Sequence, residues 1–150
     1  MGEQAQVRLI RERAGLTQRQ LAERSGVAQP NIAAYERDAR RPSPAMLQRL
    51  ASAARPRPSV VLAEQRSAVE ELLREHHASS ARVFGSVARG TDRPGSDLDL
   101  LVAFDASASL FDIVGLGHDL EDLLGVEVDV VSEGGLRPKH ARIREEAVPL

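Results

Sequence analysis

Two short runs of this 150-residue chain hold residue types whose spacing can do chemistry. The first is Val83-Phe84-Gly85-Ser86-Val87-Ala88-Arg89-Gly90; the second is Pro94-Gly95-Ser96-Asp97-Leu98-Asp99-Leu100-Leu101-Val102. Gly85 lets the backbone come close to a phosphate. Ser86, at the opening of a helix, can turn its amide and hydroxyl toward an anion at the positive helix end. Asp97 and Asp99 stand two apart on an expected strand, so both carboxylates point to one face while Leu98, Leu100 and Val102 point into the core. Carboxylates held side by side repel one another unless a cation lies between them. Mg2+ is the expected one, because it takes one or two carboxylates together with phosphate oxygens and water. A phosphate cradle beside paired carboxylates is what transfer of a phosphoryl or nucleotidyl group requires. Arg89 is placed either to touch the phosphates or to stand in solvent as an ordinary surface cation.

A third acid is expected on a neighbouring strand. The run Val126-Glu127-Val128-Asp129-Val130-Val131 supplies it. Asp129 lies between two apolar neighbours at the centre of that strand, a poor place for an unpaired charge. Glu127 shares its face, and Asp129 lies deeper. Other titratable groups read as ordinary. His76-His77 close a helix, where imidazole suits the dipole. His118, with Asp119, Glu121 and Asp122, reads as a solvated helix face.

These side chains need a frame. Ser59 to His76 reads as one helix, with Val61, Leu62, Val69, Leu72 and Leu73 roughly on one face. Ala81–Phe84 is a short strand ending at Gly85, and Asp97–Phe104 is a second. Leu110–Leu124 is an amphipathic helix closed by Gly125, Val126–Val131 a third strand, and Lys139–Ala147 a last short helix. Alternating helices and strands make this part a small α/β or α+β domain.

Upstream the pattern is all-helical. Gln6–Ala14 is a first helix, ended by Gly15. Thr17 and Gln20 form a capping box for a second helix that stops near Ser25-Gly26. A third helix runs from about Ala28 to Arg37, with Pro30 in its first turn. After a break at Arg41-Pro42-Ser43-Pro44, Met46, Leu47, Leu50 and Ala51 mark a fourth. Charge follows the same division. Residues 1–55 carry ten basic and five acidic side chains, and residues 56–150 carry ten basic and seventeen acidic. The basic part is the natural candidate for nucleic acid. Ala54-Arg55-Pro56-Arg57-Pro58-Ser59 reads as a connection, since alternate prolines favour extended backbone. The expected division is a DNA-binding domain at 1–55, a linker and start of a helix at 56–66, and a catalytic domain at 67–150. The chain has no cysteine, so neither disulfides nor a cysteine zinc site can hold it together. No stretch approaches the roughly 20 apolar residues of a membrane span, and the polar N-terminus lacks a secretory signal. A cytoplasmic protein without membrane contact is the expectation.

The segment Leu16 to Arg37 resembles the helix-turn-helix of the phage-repressor (Cro/C1, or XRE) family. Ala22 is small where two helices cross, Gly26 makes the turn, and Val27 and Ile32 plug the core. The resemblance implies a lambda-repressor-like fold that binds double-stranded DNA as a homodimer. Gln29 and Asn31 then face bases in the major groove, Gln18 and Arg19 grip phosphate, and Arg40 and Arg41 add backbone contacts.

The run Gly85-Ser86, ten residues, Asp97-Leu98-Asp99 resembles the minimal nucleotidyltransferase (MNT) family of the DNA polymerase β superfamily, over roughly residues 68–150. The resemblance implies a small mixed sheet carrying Asp97, Asp99 and Asp129, two Mg2+ ions as an option, ATP as donor, and Gly85, Ser86 and Arg89 at the nucleotide. It selects Asp129 as the third carboxylate, to hold a second metal and help deprotonate the attacking hydroxyl. MNT proteins of this size are similar to the antitoxins of HEPN/MNT toxin–antitoxin systems, which transfer AMP to a tyrosine of the partner HEPN toxin. A DNA-binding unit on the same chain fits control of its own promoter. Two other functions fit the same residues. One is a DNA-binding regulator whose catalytically inactive nucleotidyltransferase domain only binds a partner. The other is a nucleotidyltransferase acting on a small molecule such as an aminoglycoside.

Overall fold

The computed structural model describes residues 3–150, and the chain divides into two compact units, with the boundary in sequence between Pro56 and Arg57. The first unit holds four helices, α1 (Glu3–Arg13), α2 (Gln18–Ser25), α3 (Gln29–Glu36) and α4 (Pro44–Ala54). Local chemistry sets their ends. The Thr17 hydroxyl accepts from the Gln20 amide at 3.1 Å, and the Gln20 side chain accepts from the Thr17 amide at 2.8 Å. The Ser43 hydroxyl caps α4 through the Met46 amide at 3.1 Å. Gly26 leaves α2 in the left-handed region, with φ 70°, and its amide closes on Ala22. Val7, Leu21, Ile32, Tyr35 and Leu50 form the core and are at most 5% exposed.

The second unit runs α5 (Pro58–Glu64), α6 (Arg66–Glu75), β1 (Ala78–Phe84), α7 (Gly85–Arg89), β2 (Leu98–Phe104), α8 (Leu110–Leu124) and β3 (Val128–Ser132). Two single-turn 3-10 segments follow, then α9 (Ala141–Glu146) and β4 (Val148–Pro149). The sheet order is β3-β2-β1-β4. β1 pairs antiparallel with both β2 and β4, while β2 and β3 run parallel with α8 as the crossover between them. The sheet is therefore mixed. Leu98, Leu100 and Val102 of β2 turn to the helix-covered face. There they meet Leu116, Leu120 and Leu124, spaced at i, i+4 and i+8 along α8, together with Val69 and Leu73 of α6.

The second unit departs from the sequence reading in several places. The expected single helix over 59–76 is two, because Gln65 moves to φ −105° and ψ 17°, with no proline or glycine to announce the break. β1 begins at Ala78, three residues early, across an irregularity between Ala78 and Ser80. β2 begins at Leu98, so Asp97 stands just outside the strand. The last helix is shorter than expected, and a fourth strand of two residues follows it. Two residues are too few to show alternation.

Candidate active site

Register brings the acidic residues together. Asp99 on β2 is paired with Asp129 on the parallel β3, and antiparallel β1 sets Phe84 against Asp99 from the other side. The chain leaves β1 at Phe84, turns at Gly85 with φ 70°, and enters the five-residue α7, which Gly90 closes, also at φ 70°. Position 85 requires glycine for two reasons. Its φ disfavours any side chain, and a Cβ there would stand 2.2 Å from Asp99 Oδ2. At Gly90 a Cβ would meet nothing within 4 Å. The bare Cα of Gly85 thus receives the Asp99 carboxylate. Seating an acid is a role the sequence reading did not assign to this glycine.

The electrostatics match that crowding. Burial pushes the Asp99 carboxyl above its ordinary range. The negative charges of Asp129 and Asp97 and a hydrogen-bond contact with Asp129 push it the same way, against the opposing charge of Arg89. Asp97 is exposed, anchored by the next residue, whose amide donates to the Glu127 carbonyl at 2.8 Å. Asp129 was expected deep in a strand, where an unpaired charge is costly. It is instead exposed, because β3 is an edge strand and Asp129 lies on the face opposite α8. Glu127 is also exposed and precedes β3.

Among the described residues, no group of three or more His, Asp or Glu side chains stands ready as a metal cage. What exists is one carboxylate pair in contact with a third charge within Coulomb range. Such a pair suits a hard cation that needs one or two carboxylates and completes its shell from phosphate and water, as Mg2+ does.

Ser86 is partly buried in the first turn of α7, and its carbonyl accepts from the Thr91 amide at 2.9 Å. Arg89, at the end of α7, is neither simply solvated nor turned wholly to the acids: its Nη1 donates to Glu146 Oε1 of α9. Sequence reasoning missed Glu146. It also missed Asp92, whose side chain is fully buried just after α7. Asp92 accepts from the Ser59 amide at 2.8 Å and from Arg57 at 3.4 Å, and so caps α5. Burial alone would raise the Asp92 carboxyl, but these hydrogen bonds and the Arg57 charge outweigh it and hold it below its usual range. His118 is exposed, as expected. His76 is not merely a helix-end residue. It bonds Asp119 at 2.6 Å, lies 3.7 Å from Asp112, and packs on Gly115, clipping α6 to α8.

The expected DNA-contacting residues lie in the first unit. Gln29 is exposed in the first turn of α3, and Asn31 is partly buried and accepts from Arg40 at 3.3 Å. Arg41 is exposed, and Arg19 is exposed beside Glu23 at 3.5 Å. Gln18 has an internal partner the sequence did not suggest: its amide donates to Glu36 Oε2 at 2.9 Å. Glu36 also takes a two-pronged bond from Arg11 at 2.6 and 3.1 Å. Burial would raise the Glu36 carboxyl, but these bonds and the Arg11 charge leave it below its ordinary range.

Comparison with known proteins agrees with both halves. A family model described as a nucleotidyltransferase domain matches residues 62–150, and one described as helix-turn-helix matches residues 7–55. A Methanocaldococcus jannaschii protein provisionally named a protein adenylyltransferase is 42% identical over 78 residues, 51% of this chain and 84% of its own length. The Thermococcus cleftensis protein adenylyltransferase MntA is 44% identical over 55 residues, 37% of this chain and 56% of its own. A solved structure provisionally titled a minimal nucleotidyltransferase is 50% identical with TM-score 0.56, covering 61% of this chain and 95% of that one. No helix among the described residues is long and apolar enough to cross a membrane.

Proposed function

Since the chain belongs to the nucleotidyltransferase-domain family, we propose that it transfers AMP from ATP to a tyrosine hydroxyl of a partner HEPN toxin, acting as an antitoxin that also binds its own promoter. The observation that carries the chemical part is the pairing of Asp99 with Asp129, Asp99 itself being seated on the bare Cα of Gly85. In this reading Asp99, with Asp97 and Asp129 beside it, would hold Mg2+ with the nucleotide, and the Gly85-Ser86 turn and Arg89 would receive the phosphates. Bound Mg2+ would supply positive charge to the phosphates and offset the repulsion among the three acids. Asp129, exposed on the edge strand, is open to an incoming macromolecule and takes the proton from its hydroxyl. The hydroxyl oxygen then bonds to the α-phosphorus, the bond to the bridging oxygen breaks, and pyrophosphate leaves. The names of the relatives, protein adenylyltransferases, support a protein acceptor.

For the first unit, α3 would enter the major groove with Gln29 and Asn31. Gln18, Arg19, Arg40 and Arg41 would meet the backbone, and a homodimer would supply two half-sites. The Gln18–Glu36 bond fits the phosphate role, since it fixes the amide at the start of α2 before DNA arrives.

The test is to incubate the protein with ATP labelled at the α-phosphate, Mg2+ and the product of the neighbouring gene. Label should move to that partner, and Asp97→Asn with Asp99→Asn should abolish the transfer. Absence of label on the partner, with the wild-type protein folded and binding it, would leave a binding-only regulator as the better description.

A further inference from the structure

We propose that Glu146 is a positioning residue for the nucleotide site, holding Arg89 toward the phosphates; the inference rests on the transfer reading above. Glu146 itself would repel a polyphosphate, so its place beside the phosphate-binding turn calls for an explanation. It contacts Arg89 through one terminal nitrogen of a guanidinium that carries five donors, which leaves donors for a second anion. The Arg89 charge opposes the rise of the Asp99 carboxyl, and Arg89 ends the same short helix α7 that opens at Gly85, on which Asp99 is seated. Its side chain is 56% exposed. A long side chain that exposed loses much rotamer freedom on meeting a ligand unless a partner has ordered it beforehand.

The sheet explains why Glu146 arrives there. Val148 of β4 is paired with Val83 of β1 in antiparallel register. Two residues onward from Val83 is Gly85, and two residues back from Val148 is Glu146, so both steps run in the same direction along the ladder. The missed two-residue strand thus carries Glu146 to the end of the sheet where α7 begins. Further bonds steady this segment. Arg144 donates to the Glu133 carbonyl at 3.2 Å, and Arg66 donates to the Leu150 carbonyl at 2.6 Å. Beside the ion pair lies an open cleft of about 560 Å3, lined by Arg89, Arg142, Glu145 and Glu146, through which an anion can approach the guanidinium.

The test measures binding of a non-hydrolysable ATP analogue with Mg2+ by calorimetry, and the ATP dependence of label transfer. Glu146→Gln should weaken analogue binding about five- to tenfold, in the range of coupling between contacting charged groups, and raise KM by the same factor with kcat within about twofold. Glu146→Asp should restore part of the loss, and Glu64→Gln, which removes the same charge from the exposed end of α5, should change little. In an Arg89→Gln background, Glu146→Gln should have no further effect. Equal binding by wild type and Glu146→Gln overturns the proposal, and so does tighter binding, which would make Glu146 a competitor of the nucleotide. A loss that persists without Arg89 overturns it as well, since the effect would then be structural. Wild-type protein that binds no nucleotide would instead bring down the transfer reading, and this inference with it.

Discussion

Replacing Gly85 by alanine separates the two demands made on that residue. A Cβ would stand 2.2 Å from Asp99 Oδ2. A relaxed contact needs roughly 1 Å more, and the turn is backbone while the carboxylate is the end of a short side chain, so Asp99 moves. A displacement of about 1 Å at a catalytic group costs on the order of 100-fold in rate. The left-handed φ adds roughly 1–2 kcal/mol of destabilisation, small enough to leave a folded protein. Gly90→Ala is the matched control, because Gly90 has the same φ of 70° and open space where its Cβ would go. Both variants should lose similar thermal stability by circular dichroism. Only Gly85→Ala should lose about two orders of magnitude in label transfer, along with affinity for Mn2+ measured by paramagnetic resonance. Equal activity in the two variants would show that the seat under Asp99 is unimportant, and equal loss would show that backbone strain alone matters.

Other outcomes follow from the same geometry. Asp92→Ala should destabilise the second unit by about 2 kcal/mol, because a buried carboxylate that caps α5 and answers Arg57 is lost; urea titration followed by circular dichroism measures it. In the first unit, the Glu36 carboxyl lies below its unfolded value. Its contribution is therefore complete above the unfolded carboxylate pKa and disappears as pH falls through the lower folded one. Tyr35 is the chain's one tyrosine and there is no tryptophan, so tyrosine fluorescence follows this unit alone, and Glu36→Gln should flatten the acid limb of its melting curve. Arg40→Ala with Arg41→Ala should reduce the salt slope of operator binding by about two if both meet phosphates; a gel-shift series over salt concentration reads it.

In both units local patterns were legible in the sequence and contacts between distant residues were not. Capping by Thr17 and Gln20, the turn at Gly26 and the apolar spacing of α8 are local patterns, and each is met in the structure. Gly85 and Asp99 stand within fifteen residues of one another, and spacing offered both as site candidates, though not the seat that one makes for the other. What escaped was set by distant partners. Arg89 and Glu146 are 57 residues apart, Asp92 and Arg57 35, and Gln18 and Glu36 18. No periodicity links such pairs. Strand position escaped for the same reason. Alternation placed Asp129 on the right face but said nothing of β3 being an edge, and the edge is what leaves it exposed.

The placement of Tyr35 bears on self-modification. If the acceptor is a tyrosine hydroxyl, the chain holds one candidate within itself, and that one is 5% exposed in the helix-turn-helix core between Ile32 and Glu36. The catalytic unit has no tyrosine at all. These 150 residues therefore offer a neighbouring copy no surface tyrosine on which to spend the nucleotide. Label found on the chain in the absence of a partner would therefore point to serine or threonine, or to unfolding of the first unit. The blank reaction then becomes a measure of how strictly the site reads its acceptor.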